Sequence, residues 1–255
     1  MFYHNGIKQP FFHAFREIAV CLNRSEINSR KPYFCALIIL VGKDKIRRFA
    51  EIATFSNVLQ LDAGKPFKGQ WAGAFFKNNN PVVLELACGK GEYTVNLAVM
   101  FPDKNFIGID YKGNRIWRGA KTALEDGVPN VAFLRIQIET LIEYFGPGEV
   151  DEIWITFPDP QPQLSREKKR LTSSRFLNMY RVILKPGGFV NLKTDNDDLH
   201  AYTADKIAET GLTLHARTED VYKSEYADDV LNIKTYYEKK YLKDNKNINY
   251  LKFSF

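Results

Sequence analysis

From Asn80 onward, short apolar runs alternate with stretches whose apolar residues recur at helical spacing. Pro81–Leu86 is such a run, and a glycine-rich turn follows at Ala87–Gly91. Tyr93, Val95, Leu97 and Met100 then mark a helix. Asn105–Asp110 predicts a second strand, Asn114–Glu125 a basic helix, Val131–Ile136 a third strand and Asp151–Phe157 a fourth. Arg175–Leu184 predicts a helix that stops at Lys185-Pro186-Gly187-Gly188, and Phe189–Lys193 a fifth strand. Strands alternating with helices define βαβ units, hence an α/β fold with a mainly parallel sheet covered on both faces. Trp71, Trp117 and Trp154 read as core residues.

The first forty residues lack this order. They mix aromatic and basic residues with one short apolar run, Tyr33–Val41. That run is far shorter than the roughly 20 residues of a membrane span. Residues 1–40 therefore read as an over-extended or poorly ordered arm, with Val41 as a start and 41–255 as a single domain. The 255 residues suffice for a core without staples. Cys21, Cys35 and Cys88 are odd in number and show no paired spacing, which excludes a disulfide framework and fits a reducing cytoplasm. No Cys/His cluster suggests a metal, so none is expected. A net charge of +6 favours a polyanionic partner, although many basic proteins bind no nucleic acid.

The chemistry concentrates at the ends of the strands. Gly89 and Gly91 let the backbone approach a ligand, but the dinucleotide pattern GxGxxG fails at Thr94. That disfavours a nicotinamide enzyme. Glu85 lies just before the turn, where a carboxylate meets the cationic or amino end of a cofactor. Asp110 ends the second strand and can accept from two ribose hydroxyls, or else cap the next helix. Gln137 follows the third strand, as an adenine contact or an exposed amide. An E-x-x-x-G-x-G turn followed by an acid ending the second strand resembles class I methyltransferases that use S-adenosyl-L-methionine. The resemblance implies a Rossmann-like, mostly parallel seven-stranded sheet with an antiparallel C-terminal strand.

The fourth strand runs into Phe157-Pro158-Asp159-Pro160-Gln161-Pro162, a loop stiffened by three prolines. Asp159 is held between two of them, as a reacting group or a turn residue. Ser165, Arg166, Lys168, Lys169 and Arg170 follow, a charge run that suits an RNA backbone or simply a solvated face. In the tail, lysines 239, 240, 243, 246 and 252 interleave with Tyr236, Tyr237, Tyr241 and Tyr250. This pattern suits RNA, or a closing strand whose tyrosines pack on the core.

FPDP followed by KKRL (168–171), the Lys193-Thr194-Asp195 segment, Thr235-Tyr236-Tyr237-Glu238 and VGKDKIRRFAE from Val41 together resemble the bacterial tRNA (guanine-N7)-methyltransferase family. The resemblance covers about Val41 to Phe255. It implies methylation of N7 of a guanine in the variable loop of tRNA. It implies cofactor contacts at Glu85, Gly89, Gly91, Asp110, Gln137 and Asp159, with Asp159 catalytic. Gln163, Asp195, Thr235, Tyr236, Tyr237 and Glu238 would hold the guanine, and the 165–170 segment would touch tRNA. The partner implied is tRNA, with no membrane and no metal; a monomer and a homodimer both remain open. The sequence departs from the family at Ala87, where glycine is usual, at Gln137, where an acid is common, and at Gln161 and Gln163, where tryptophan and a base are common. The readings that stay open are a related methyltransferase acting on another RNA and an RNA-binding protein without catalysis.

Overall fold

The computed structural model describes residues 44–255; the 1–40 arm and Val41 lie outside the described residues. Arg47–Phe255 forms one compact unit. Helix α1 covers 44–52. The strands are β1 (Val58–Gln60), β2 (Val82–Leu86), β3 (Asn105–Ile109), β4 (Val131–Arg135), β5 (Val150–Thr156), β6 (Leu184–Thr194), β7 (Thr213–Thr218) and β8 (Asn249–Ser254). The helices are α2 (Glu92–Met100), α3 (Gly113–Glu125), α4 (Ser174–Ile183), α5 (Asp197–Glu209) and α6 (Tyr236–Lys243).

The strands form one sheet in the order β1-β4-β3-β2-β5-β6-β8-β7. All pairs from β1 to β6 are parallel, and β8 runs antiparallel between β6 and β7. The Rossmann-like expectation holds, with one correction: the sheet has eight strands, not seven. The added β1 is three residues long, too short for a periodic signal, and exists because β4 offers it an open edge. A second correction lies at Leu184. β6 begins there and runs through Lys185–Gly188, because the extra residues bulge out between the Val150 and Glu152 pairings.

Period-two alternation splits the sheet into two apolar faces. Val82, Leu84 and Leu86 join Ile107, Leu134 and Ile155 on one face, where Phe176, Leu177 and Tyr180 of α4 cover them. Val83, Phe106, Phe133 and Trp154 point the other way, beneath Tyr93 and Leu97 of α2 and Ile116 and Ala120 of α3. Trp71, Trp117 and Trp154 are all buried, as expected. Among the described residues, no helix is long and apolar enough to cross a membrane.

Three glycines on three elements meet the buried ring of Phe133. A Cβ on Gly91 would collide with the ring, as would one on Gly108 of β3, at 2.8 Å. A Cβ on Gly119 of α3 would lie 2.6 Å from the Lys90 carbonyl and 2.9 Å from the Gly91 Cα. The first turn and α3 thus touch backbone to backbone. Gly119→Ala should destabilise by about 1–3 kcal/mol or more in urea denaturation, because backbone cannot retreat as a side chain can. Gly73→Ala, with nothing near its Cβ, is the matched control and should be close to neutral. Equal effects would refute the close-contact account.

Candidate active site

The parallel strands β2, β3, β4 and β5 all end at one edge, so residues far apart in sequence converge there. Their tips line a cleft of about 380 Å³ that includes Ala87, Asp110, Gln137 and Asp159. Ile136, Ile138, Leu171 and Phe176 supply apolar wall, and Lys169 one cation. This size and mixture suit a nucleoside-like ligand. Asp110, Gln137 and Asp159 are thus brought together as expected. Leu171, the last residue of KKRL, and Phe176 reach the cleft from the segment after the proline loop, and no local motif marks Phe176.

Asp110 holds the turn as well as facing the cleft. It accepts from the backbone N–H of Gly89 at 3.0 Å and of Lys112 at 2.7 Å, one bond on each oxygen. A carboxylate accepts about two bonds per oxygen, so capacity remains for two ribose hydroxyls. The ribose reading of Asp110 therefore remains open, whereas the capping reading is corrected: Lys112 is the N-cap of α3, and Asp110 bonds the N–H of Lys112 and none in the first turn. Gly89 and Gly91 adopt left-handed φ values of 56° and 69°. Ala87, where the family usually has glycine, adopts φ 58° and carries a methyl group there.

Glu85 is deeper than the sequence suggests. It lies outside the cleft lining, 3% exposed, between β2, β5 and α2. One oxygen accepts from Thr156 Oγ1 at 2.6 Å; the other accepts from the Thr94 N–H at 2.8 Å and from the Thr94 hydroxyl. Thr94 is the position where a dinucleotide fingerprint would place its third glycine, and here it binds this carboxylate. Burial raises the Glu85 carboxyl to about 7 in spite of these bonds.

The proline loop is strained and braced. Phe157 and Gln161 take left-handed φ values of 50° and 45°, a conformation that costs an L-residue about 1–2 kcal/mol. Asp159 is exposed at the cleft and accepts from the Gln161 N–H at 3.1 Å, so it is also a turn residue. Arg170 holds the loop from below: its Nε donates to the Gln161 carbonyl at 3.2 Å, and its guanidinium lies 4.4 Å from the Tyr202 ring. Arg170 therefore has an internal task beside any contact with RNA. Ser165, Arg166, Lys168 and Lys169 lie exposed on a 3₁₀ turn, Leu164–Lys169. Gln163 is exposed just before that turn and does not line the cleft; Gln161 does.

The tail is a helix followed by a strand: the closing-strand reading holds for β8 with its buried Tyr250, and is corrected for Tyr236, Tyr237 and Tyr241, which lie on α6. Thr235 caps α6 through a capping box with Glu238. The Tyr236 N–H donates to Glu92 at 2.8 Å, and Lys90 of the glycine turn lies 3.8 Å from the Tyr236 ring. Tyr236 and Tyr237 are exposed, 53% and 44%, whereas Tyr250 is buried in the core. Glu238 is fully buried and pairs with Lys193 at 2.7 Å. Removing one partner of such a pair leaves an uncompensated buried charge. Asp195 pairs with Lys246 at 3.0 Å and lines a separate polar cavity of about 730 Å³ with His200 and Arg217. Lys246 carries no local signal of this role, because it meets Asp195 only through the loop before β8.

A mainly parallel sheet with an antiparallel C-terminal strand and a cleft of mixed lining at its strand ends is the architecture of a class I methyltransferase, to which β1 adds an eighth strand. A family described as putative methyltransferases matches residues 79–251. The tRNA (guanine-N(7)-)-methyltransferase of Christiangramia forsetii is 52% identical over 83% of this chain and 98% of its own length. That of Bacteroides fragilis is 48% identical over 84% of this chain and 86% of its own. The solved structure of the 16S rRNA methyltransferase KamB superposes with a TM-score of 0.53 at 19% identity, over 69% of this chain and 87% of that one, and shares the fold. The chain belongs to the tRNA (guanine-N(7)-)-methyltransferase family.

The Glu85 environment makes a pH prediction. Its folded pKa lies above the unfolded value of 4.5, so the fold favours the protonated form. The stability this contributes is complete below about pH 4.5 and is lost as the pH rises through 7. Glu85→Gln does not titrate there. The stability of the native chain relative to Glu85→Gln should therefore fall by about 3 kcal/mol between pH 4.5 and 7.5, by urea denaturation without cofactor. Parallel profiles would show that Glu85 is ionised in the fold.

Proposed function

We propose that this chain transfers a methyl group from S-adenosyl-L-methionine to N7 of a guanine in the variable loop of tRNA, in the cytoplasm. The reading is carried by one observation: Asp159 stands at the cleft on a strained, proline-locked loop whose next segment is strongly basic. Relatives about half identical to this chain bear the tRNA (guanine-N(7)-)-methyltransferase name.

The donor set fits the cofactor. Asp110 has acceptor capacity for the ribose hydroxyls, and Gln137 can hydrogen-bond an adenine edge. Ile136, Ile138 and Phe176 would enclose the adenine, while Gly89 and Gly91 shape the turn around the rest. Glu85 acts from beneath, bonding Thr94 and Thr156 and so joining the turn to β5. When bound, the sulfonium of the cofactor supplies an electrophilic methyl group.

Guanine N7 carries a lone pair and no proton, so no general base is needed. The task of the chain is alignment, with reacting atoms about 3–3.5 Å apart. Positive charge develops on the purine as the methyl arrives, and in this reading the Asp159 carboxylate stabilises it. In this reading Tyr236 and Tyr237 meet the guanine, and Asp195 takes part only by exchanging its Lys246 partner, in its separate cavity, for the base. A carboxylate accepts from guanine N1–H and the exocyclic amine, a donor pair adenine lacks.

Two basic stretches suit an RNA backbone, and the first reaches the cleft through Lys169. One is the 165–169 turn. The other is α3 with the adjoining part of α1, where Arg47, Arg48, Arg115, Arg118 and Lys121 outnumber Glu51 and Glu125. Arg115 stands in the first turn of α3, where the helix dipole disfavours a cation by about 0.3–1 kcal/mol. Phosphate at that end would offset the cost. The second face joins Lys168 and Lys169 in our reading of where tRNA rests.

Labelled-methyl transfer to unmodified tRNA, with nucleoside mass spectrometry, tests the activity. The product should be 7-methylguanosine. Asp159→Ala should lose at least about 100-fold in kcat with little change in cofactor affinity; equal losses in both would remove Asp159 from the chemistry. Arg115→Gln with Arg118→Gln should flatten the salt dependence of tRNA binding by about 0.7–0.9 in log–log slope for each phosphate the protein no longer neutralises. An unchanged slope would clear α3 of a role in RNA binding.

A further inference from the structure

Lys193 lies on β6, two residues before Asp195, and is 0% exposed. A lysine ammonium has three N–H donors. All three are spent on α6 and the segment that leads into it: on Glu238 at 2.7 Å, on the Leu231 carbonyl at 2.6 Å and on the Ile233 carbonyl at 3.1 Å. The rings of Tyr93 and Tyr222 lie 5.5 and 5.8 Å from the Nζ. One side chain on the sheet thus gathers two carbonyls and a carboxylate that belong to another part of the chain.

Glu238 is equally committed. Besides Lys193, it accepts from the Tyr222 hydroxyl and, at 3.3 Å, from the Thr235 N–H. Its own N–H donates to Thr235 Oγ1 at 3.2 Å. It is 0% exposed, so a base edge cannot reach its carboxylate in this arrangement. The exposed groups of the Thr235–Glu238 segment are Tyr236 and Tyr237, whose rings meet edge to face at 5.4 Å. Tyr236 is tied to the glycine turn through Glu92 and Lys90. Tyr241 of the same helix packs on Phe157 of the proline loop at 5.9 Å between centroids. The α6 segment therefore touches both loops that hold the cofactor side of the site, and Lys193 anchors it to the sheet.

We propose that Lys193 is a positioning residue for the target guanine, acting through Glu238, and that Glu238 is its internal counterion, not a guanine contact. The pair sets the place of Tyr236 and Tyr237 relative to the methyl donor, and the guanine meets those tyrosines. This rests on the function proposed above. Burial lowers the pKa of Lys193, and Glu238 opposes that shift.

The test compares Lys193→Met, Glu238→Gln and Tyr222→Phe in tRNA methylation. Each is assayed at a temperature where circular dichroism shows it fully folded, with cofactor affinity measured alongside. Glu238→Gln still accepts from Lys193 and Tyr222, so it should lose less than about 10-fold in kcat/KM for tRNA. Lys193→Met should lose about 100-fold, mainly in kcat, as expected of a misplaced reactant, with cofactor affinity within about threefold of the native chain. Tyr222→Phe should shift the same parameter by a few-fold.

A guanine contact at Glu238 predicts the reverse order, with Glu238→Gln losing on the order of 10,000-fold, because the amide cannot accept from both guanine donors. That result overturns the proposal, as does folded Lys193→Met with native kcat. If Lys193→Met does not fold, the Glu238→Gln and Tyr222→Phe values decide by the same criteria. A native chain that makes no 7-methylguanosine in tRNA refutes the function itself; a native chain that makes it while the variants follow the reverse order refutes only the role of Lys193.

Discussion

The ring of Phe133 sets the geometry on which the cleft depends. Gly91 in the turn, Gly108 on β3 and Gly119 on α3 leave it the only space it can occupy. Because none of the three carries a side chain, the turn lies flat on the sheet and against α3. The Gly89 N–H then reaches Asp110, and the Thr94 N–H and hydroxyl reach Glu85. Close packing of this kind tolerates little volume change, so the same packing that stabilises the fold also shapes the ligand site.

Around that rigid turn, the site stores strain and resists it. Ala87, Phe157 and Gln161 are non-glycine residues in left-handed conformations, at or beside the cleft. Such residues persist only where the surroundings over-determine them. Arg170 and Tyr202 hold the proline loop from one side, and Tyr241 packs on Phe157 from the other. The loop is thereby held ready for alignment, which is the main requirement when the nucleophile carries no proton to remove.

Charge is divided between interior and surface in a way that suits both stability and binding. Lys193 with Glu238 is fully buried and fully bonded, so it fixes one arrangement. Arg166, Lys168 and Arg118 lie exposed, where they suit phosphate. Within T-x-x-E, Tyr236 and Tyr237 face outward, whereas Thr235 and Glu238 are buried.

The alternation of apolar runs and turns was enough to specify a parallel α/β sheet, because the central strands β2, β3 and β4 are buried on both faces and therefore read as continuous apolar runs. The same local text placed Asp110, Gln137 and Asp159 at strand ends, and the structure gathers them in one cleft because parallel strands end together. Local pattern also marked the proline loop, the basic run after it and the T-x-x-E segment that opens α6. Tertiary structure alone decided the three-residue β1, which exists only beside β4, and the run of β6 through Lys185–Gly188. It alone decided that Glu85 is buried, that Arg170 braces a loop, and that Lys246 meets Asp195. Local periodicity reports which side of an element faces the core. The partner of a buried charge is set by which distant segments pack together, and no short stretch of chain contains that information.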